Sequence, residues 1–406
     1  METFRITLET VTPLFLGGAD ARGAPELRPP AFRGALRYWL RALAGTSSDD
    51  KALANLRSVE SKVFGSASDR DSTGSAITLR KGAENLSPIS YSTVVGAIPK
   101  PEGGTKITRQ GLSYLLFAAR PTKKDDRERN ALQGTFDIIL QLRGGIFNSE
   151  LILRQAYAAL WLFTHLGGLG SRAKRGGGNL QVTKIDPVPD FANDLPLPIQ
   201  ADSIQQLIRE LKMGVAAARS LAGLPRQNMP EKIPDFDALI PGLCKIWVVD
   251  EEFESWTEAL NKLGLIYQGF RKWRQPDYDT VKDAMQHEVN LSQPVQKAAF
   301  GLPVPYLYRS LNGDQSTLQT QDYDRRSSPL TFRVLKLTNQ KYALVIVWFK
   351  SEFLPDKQKL KLVHHNAERI GDAPDDSLVT NFLFQPDLEN GSSLFDKKWN
   401  LIEVTI

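Results

Sequence analysis

The segment from Gly170 to Asn179 carries residues suited to binding an anion. It reads Gly-Ser-Arg-Ala-Lys-Arg-Gly-Gly-Gly-Asn and directly follows an apolar helical stretch. Glycine has no side chain and adopts positive φ readily, so consecutive glycines let backbone N–H groups approach a partner closely. With cations beside them, the natural partner is a phosphate chain, although a flexible, solvated basic turn is the alternative. The candidate phosphate-binding residues here are Arg172, Lys174, Arg175, Gly176, Gly177 and Gly178.

A second candidate is a stripe of arginines on the first predicted helix, Ala31–Ala44. Arg33, Arg37 and Arg41 are spaced i, i+4 and i+8, so they share one face. Like charges at this spacing repel one another, and the helix contains no acidic residue to relieve them. Because a guanidinium group matches phosphate oxygens in bidentate geometry, an external phosphate would resolve the repulsion. The alternative is a solvated face opposite the core.

Ser66 closes a third candidate, the small-residue turn Ser61–Ser66, which could expose backbone N–H groups or simply join a helix to a strand. The histidines are His165, His287, His364 and His365. His165 lies five residues before Gly170, so a general acid–base role in RNA cleavage stays open beside a buried structural role. The pair His364-His365 lies in a polar segment and is predicted to be exposed.

Enzymatic motifs are otherwise missing from the sequence. No paired-aspartate motif suggests two-metal chemistry, and neither GxxxxGK[ST] nor GxGxxG is present. A single cysteine, Cys244, makes a disulfide framework or a thiolate metal site untenable. We therefore predict a protein that is not an enzyme and that uses no metal or cofactor.

Charge is distributed unevenly along the 406 residues. Residues 1–186 hold 26 Lys and Arg against 17 Asp and Glu, whereas residues 187–406 hold 25 against 29. A basic first half fits an anionic partner, and a mildly acidic second half fits a protein partner or solubility. The longest apolar runs are eight residues, far short of a membrane span, and no signal peptide opens the chain. A cytoplasmic protein without membrane contact is expected.

The elements that would position these residues follow an α+β order. The proline-rich stretch Asp186–Pro198 is predicted to link two domains, residues 1–186 and 199–406. Two stretches, Pro294–Gly313 and Glu352–Asp376, look irregular. The predicted strands are Thr3–Thr10, Ala76–Arg80, Ser90–Val95, Lys106–Ala119, Thr135–Leu142, Asn179–Ile185, Leu243–Val249 and a hairpin of Thr331–Thr338 with Tyr342–Phe349. The predicted helices are Ala31–Ala44, Glu150–Leu166, Asp202–Ala222 and Glu252–Trp273.

Motifs spread over most of the chain resemble one family in their order. They are the opening strand with Thr12–Gly18 (Thr-Pro-Leu-Phe-Leu-Gly-Gly), Glu26–Arg28, Pro30–Arg41, Glu60, Phe64–Ser66, Gly167–Leu180, Ala299–Pro303, Arg325–Leu330 and Phe353–Pro355. Together they resemble the RAMP superfamily of CRISPR proteins, and most of all the first subunits of type III-B (Cmr) effector complexes. The combination is far more specific than any single motif. One departure is that the family's loop commonly has an aromatic residue between its glycines, whereas Gly176–Gly178 has none.

The resemblance implies tandem ferredoxin-like (RRM-like) domains and a glycine-rich loop that contacts RNA. It implies a non-catalytic subunit near the end of the effector filament, at the 3′ part of the guide and target duplex. The expected partners are guide RNA, target RNA and the other Cmr subunits, and the residues named above are the expected RNA contacts. The alternative is a metal-independent RAMP endoribonuclease that processes guide precursors, with His165 as acid or base and a nearby cation stabilising the transition state.

Overall fold

The structure, a computed structural model, describes residues 2–67, 72–122, 124–272, 275–323, 325–354, 358–384 and 399–406. Trp273 and Pro355, named above, lie outside these residues. The first half contains β1 (Thr3–Thr10), α1 (Pro29–Ala44), α2 (Asp50–Phe64), β2 (Ile77–Ser90), α3 (Tyr91–Val94), β3 (Ala97–Pro99), β4 (Thr105–Ile107), α4 (Gln110–Leu115), β5 (Asn130–Leu142), α5 (Ser149–Leu166) and β6 (Leu180–Asp186). The second half contains α6 (Ile204–Leu221), β7 (Cys244–Val249), α7 (Trp256–Arg271), α8 (Asp277–Gln286), β8 (Val304–Tyr308), β9 (Asp314–Thr320), β10 (Leu330–Lys336), β11 (Tyr342–Phe349), β12 (Leu360–His364), β13 (Ala367–Gly371), α9 (Ser377–Phe384) and β14 (Leu401–Val404).

The first sheet has the strand order β2-β5-β1-β6, and all its neighbours pair antiparallel. Its apolar face is covered by α1 and α5. Phe32 of α1 makes edge contacts with Phe136 of β5 and Phe163 of α5, with ring centroids 5.7 and 6.3 Å apart. Strands and helices alternate as β-α-β-β-α-β, with β3, β4 and α4 inserted after the second strand. This order and pairing are those of the ferredoxin-like arrangement.

The second sheet repeats the same plan. Its order is β10-β11-β7-β14, again with antiparallel neighbours, and α7 and α9 occupy the two helix positions. Side chains of β11 alternate between two apolar cores, with Val345 and Val347 on the first-half side and Leu344 and Ile346 against α7. The apolar face of α1 and most of α5 are thus buried between the two sheets, which explains why α5 is apolar on all sides from Ala156 to Phe163. The predicted α+β class is confirmed.

A third sheet was missed by the sequence analysis. It has the order β13-β12-β9-β8 and a small apolar core of its own. Strand β8 falls in Pro294–Gly313, and β12 and β13 fall in Glu352–Asp376, two stretches that were predicted to be irregular. Strand β9 begins directly after the first of them. Strand β8 does alternate, with Val304, Tyr306 and Tyr308 buried, but Pro303 and Pro305 mask the pattern. Proline is tolerated there because β8 is an edge strand.

Two predicted strands in the insertion are wrong. Ser90–Val95 contains α3, because the Ser90 hydroxyl accepts a hydrogen bond from the Thr93 N–H at 3.1 Å and caps a helical turn. Lys106–Ala119 contains only the short strand β4 and then α4. Its apolar residues Leu112, Leu115, Leu116 and Ala119 follow helical rather than alternating spacing and are buried.

The halves of the chain meet along the edge strands β6 and β10. The Val334 N–H donates to Asn179 Oδ1 at 2.8 Å, and the Lys336 N–H donates to Gln181 Oε1 at 3.2 Å. The largest apolar core draws residues from both halves. The division at residues 186–198 stays a prediction. Among the described residues, no helix is long and apolar enough to cross a membrane.

Candidate nucleic-acid interface

The glycine-rich loop between α5 and β6 is packed inside the fold. Gly176 and Gly178 have φ of +81° and +62°, and both are buried. A β-carbon on Gly178 would lie 2.0 Å from the Leu169 carbonyl oxygen, and one on Gly176 would lie 2.5 Å from Leu260 Cδ2. The N–H groups of Gly177 and Gly178 already donate to the carbonyls of Arg172 and Pro13. These glycines therefore permit close packing and positive φ, and two of their N–H groups are spent within the chain.

Lys174 is neutralised by an acid of the second half. Its Nζ lies 2.9 Å from Asp237 Oδ2 and donates to the Ser328 carbonyl at 3.0 Å. Asp237 also accepts from the Tyr38 hydroxyl of α1 at 2.7 Å. Lys174 consequently ties the loop to both halves of the chain and has little charge left to offer.

Arg172 and Arg175 lie instead against aromatic rings. Arg172 Cζ is 4.2 Å from the Phe117 ring centroid, and Arg175 Cζ is 4.7 Å from that of Tyr267. Burial lowers the pKa of Arg172 to about 10, and the charge of Arg175 adds to the effect. Arg172 therefore stays protonated at neutral pH. Over the described ranges, no carboxylate oxygen lies within 4.0 Å of a nitrogen of either guanidinium group.

More arginines surround this pair. Arg129 Nη1 lies 3.2 Å from the Ser171 hydroxyl, and Arg120 Cζ is 5.7 Å from the Phe117 ring centroid. Arg271 Cζ is 5.1 Å from the Tyr267 centroid. None of these has an ion pair with a residue that the structure describes. We call the set the arginine cluster, and its members are Arg120, Arg129, Arg172, Arg175 and Arg271.

The sequence analysis missed three of the five members of this cluster, namely Arg120, Arg129 and Arg271. Arg129 lies in the charged stretch 121–130 and was not linked to the glycine-rich segment. Phe117 was placed in a predicted strand. It lies off the helical face formed by the buried apolar residues around it and is 45% exposed. Its position off this face was the one indication in the sequence that this aromatic residue lies at the surface.

The arginine stripe of α1 is balanced from within the chain. Glu60 of α2 places one carboxylate oxygen 2.9 Å from Arg37 Nε and the other 3.5 Å from Arg41 Nε. The sequence argument searched for an acid only within the helix itself, and the neighbouring helix supplies it. Arg33 has no ion pair among the described residues, and its buried Nε lacks a hydrogen-bond partner.

Ser66 lies beside this stripe. Arg37 Nη2 donates to the carbonyl of Gly65, which precedes Ser66. The Ser66 N–H donates to the Thr73 carbonyl at 2.9 Å, and its own carbonyl accepts from the Thr73 N–H at 3.1 Å. The backbone N–H of Ser66 is therefore used in a short bridge and is not directed at a ligand.

Arg41 of the stripe and Asp237, the partner of Lys174, line the same pocket. This pocket of about 420 Å³ is lined by Tyr38, Arg41, Glu60 and Asp237 among others. The other charged residues that line the pocket are Arg57, Asp235 and Arg326, so the lining carries both positive and negative charge. Arg172 and Arg175 do not line it. The sequence candidates thus divide into a charge-balanced pocket and the arginine cluster.

The histidines offer no exposed general base beside the loop. His165 is fully buried, stacks on Trp161 with centroids 4.0 Å apart, and has Nδ1 2.8 Å from the Trp161 carbonyl. Its Nε2 lies 3.6 Å from Glu210 Oε1, and burial lowers its pKa. An RNA phosphate cannot reach this ring in the folded chain.

His364 is buried, contrary to the predicted exposure. Its Nε2 lies 2.7 Å from Asp314 Oδ2, because β12 pairs with β9 and brings the two together. His365 is exposed, with Nε2 3.3 Å from Asp314 Oδ1. Within the described residues, these three are the group of possible metal ligands, with donor atoms within 4.8 Å of one another. Two imidazoles and a carboxylate are donors that Zn²⁺ accepts.

The comparisons with known proteins are consistent with one another. A family model described as the RAMP superfamily matches residues 7–181. The CRISPR system Cmr subunit Cmr1-1 of Pyrococcus furiosus is 25% identical over 369 residues, which cover 90% of this chain and 93% of the relative. Subunit Cmr1-2 of the same organism is 32% identical over 188 residues, covering 44% of this chain and 94% of the relative. The apo crystal structure of Cmr1 from Pyrococcus furiosus superposes with a TM-score of 0.58 at 18% identity, covering 100% of this chain and 99% of that one.

Proposed function

The chain belongs to the RAMP superfamily as a relative of the Cmr1 subunits, and from this premise we propose that it is an RNA-binding, non-catalytic subunit of a type III-B CRISPR effector complex. Its partners are then guide RNA, target RNA and the other Cmr subunits. The resemblance found in the sequence puts its contact at the 3′ part of the guide and target duplex.

One observation carries the proposal, namely that the arginine cluster lacks carboxylate partners among the described residues. Arg172 is partly desolvated against Phe117 and is repelled by Arg175, so its charged form is disfavoured. An incoming phosphate would relieve this repulsion and accept hydrogen bonds from the guanidinium groups. Arginine contacts of this kind read phosphates rather than base edges, which suits a subunit that must accept any guide sequence.

The endoribonuclease alternative loses its acid or base. His165 is sealed between Trp161 and Glu210, and its lowered pKa favours the neutral ring without giving that ring access to RNA. Burial of this histidine supports the non-catalytic proposal. The direct test is to incubate the purified protein with repeat RNA in EDTA. We expect no cut, whereas a single cut that is lost in His165→Asn would establish the endoribonuclease.

RNA binding is tested by the salt dependence of affinity. The purified chain is titrated with a fluorescent oligouridylate at several KCl concentrations, and the slope of log affinity against log salt is measured by anisotropy. Replacing Arg172 and Arg129 together with glutamine should flatten this slope by about 0.7 per lost phosphate contact. Affinity should fall equally for other RNA sequences.

Arg154→Gln serves as the matched control. Arg154 is a surface arginine of the first half that is already paired with Glu150, so its loss should leave affinity and slope unchanged. Unchanged melting temperatures would show that each variant is folded. The proposal fails if affinity is insensitive to salt, or if the double variant binds oligouridylate as the wild type does.

A further inference from the structure

We infer that Phe117 and Arg172 form a platform on which one nucleobase of single-stranded RNA stacks. The inference rests on the proposed RNA-binding function, and it goes further by assigning a base contact to a residue outside the glycine-rich loop. The loop itself offers only Gly176–Gly178 where an aromatic residue would be needed. Phe117 contacts the loop at Arg172 from a different element.

The Phe117 side chain is exposed in a segment that is otherwise buried. Leu115, Leu116 and Ala119 around it are almost fully buried, whereas Phe117 remains 45% exposed. The Arg172 guanidinium lies 4.2 Å from its ring centroid, within cation–π range. Part of the ring is covered by a cation, and the exposed part is available to a planar ligand.

Contacts between α4 and α7 fix the chain that leads to Phe117. Helix α4, which leads to it, crosses α7 without intervening side chains. A β-carbon on Gly111 would lie 2.0 Å from the Asn261 carbonyl oxygen, and one on Gly264 would lie 2.0 Å from the Gly111 carbonyl oxygen. Asn261 Oδ1 also accepts the N–H groups of Gly111 and Leu112, at 3.0 and 3.3 Å. The backbone that leads to Phe117 is therefore fixed before RNA binds, which lowers the conformational entropy lost on stacking.

Charge around the ring favours nucleic acid as the occupant. Arg120 is exposed with its Cζ 5.7 Å from the ring centroid, and Arg129 lies beside Ser171 in the loop. Neither arginine forms an ion pair with a carboxylate of the described residues. A stacked base carries a phosphate on each side, and these cations are placed to meet them. An apolar protein side chain would fill the ring surface but leave the arginines unpaired.

The test measures oligouridylate affinity after changes at Phe117 alone. Phe117→Ala removes the stacking contact with one base. The affinity should therefore fall about fivefold to a hundredfold. The salt slope should not change, since no cation is lost. Phe117→Leu, which keeps the apolar bulk, should be as weak as Phe117→Ala, and Phe117→Tyr should restore affinity. An abasic phosphodiester strand of equal length should bind wild type and Phe117→Ala equally.

Phe147→Ala is the matched control, because Phe147 is a surface phenylalanine of the same half that is 87% exposed. It should bind RNA as the wild type does. If Phe117→Ala or Phe117→Leu keeps wild-type affinity while the Arg172 and Arg129 double variant flattens the salt slope, stacking is overturned and RNA binding stands. If neither change has an effect, both proposals fail at this surface. If Phe117→Ala binds RNA normally but no longer assembles with the other Cmr subunits, the platform docks protein.

Discussion

At the scale of single residues, Arg333 joins the two halves. It is fully buried on β10 and donates to the carbonyls of Thr164, Gly167 and Leu180, the first two at the end of α5. Burial lowers its pKa to about 9, so it remains charged at neutral pH. A cation is favoured there because the carbonyls at a helix C-terminus carry partial negative charge. Sequence patterns gave no indication of it, since an arginine in an apolar strand is ordinarily placed on the exposed face.

Removing this side chain should destabilise the fold strongly. Arg333→Met leaves three carbonyl oxygens without their donor, and each buried unsatisfied acceptor costs about 1–3 kcal/mol. We expect a loss of about 3 kcal/mol or more in the free energy of unfolding, measured with urea. The exposed Arg154→Met should change it by less than about 1 kcal/mol. Equal effects of the two substitutions would contradict the role assigned to Arg333.

His165 should make stability depend on pH. Its pKa is lowered in the folded chain, by burial first and with Arg333 contributing, although Glu210 opposes the shift. The unfolded chain therefore binds a proton that the folded chain refuses, and stability falls as the pH drops below about 6.5. In His165→Phe, this part of the acid-side decline should disappear when unfolding is followed across that pH range. An unchanged pH profile would show that the buried ring does not titrate differently on folding.

At the scale of elements, the glycine-rich loop is a packed joint. Gly178 has a left-handed φ, and a β-carbon there would strike the Leu169 carbonyl, whereas Gly103 has φ +90° with nothing within 4 Å. The two positions separate the cost of conformation from the cost of a clash. Gly103→Ala should lose about 1–2 kcal/mol from conformation alone. Gly178→Ala should lose clearly more, in thermal or urea unfolding. Similar losses of stability in Gly103→Ala and Gly178→Ala would show that the loop is a loosely packed turn.

How far the sequence predicted these elements depended on the range of the interactions involved. The alternation of Phe4, Ile6 and Leu8 and the apolar run of α5 are local patterns, and both elements appear where they were expected. The candidate phosphate-binding residues were also predicted from local spacing, and the interactions that this argument neglected are distant in sequence. Glu60 answers Arg37 from another helix, and Asp237 answers Lys174 from the other half. No spacing rule reports such pairs, nor the approach of Phe117 to Arg172.

At the scale of the whole molecule, the two sheets share one core. Strand β11 sends alternate side chains into a core that also holds α1 and α5 of the first half. Opening either sheet would expose the apolar face of the other, so the halves should unfold together. Hydrogen exchange of the full chain should give the same opening free energy for amides of β5 and β11. Markedly different values would show that residues 1–186 and 199–406 are independent folding units.

The glycine contact between α4 and α7 has a consequence for how this surface can evolve. Neither Gly111 nor Gly264 can gain even a methyl group while the helices keep their places, and substituting both would only compound the overlap. Inheritance should therefore hold both positions fixed. The exposed ring of Phe117, six residues after Gly111, carries no such restriction. Phe117 can thus be replaced by another aromatic residue during evolution, which would change the affinity of this surface for a partner. The contact between α4 and α7 would stay the same.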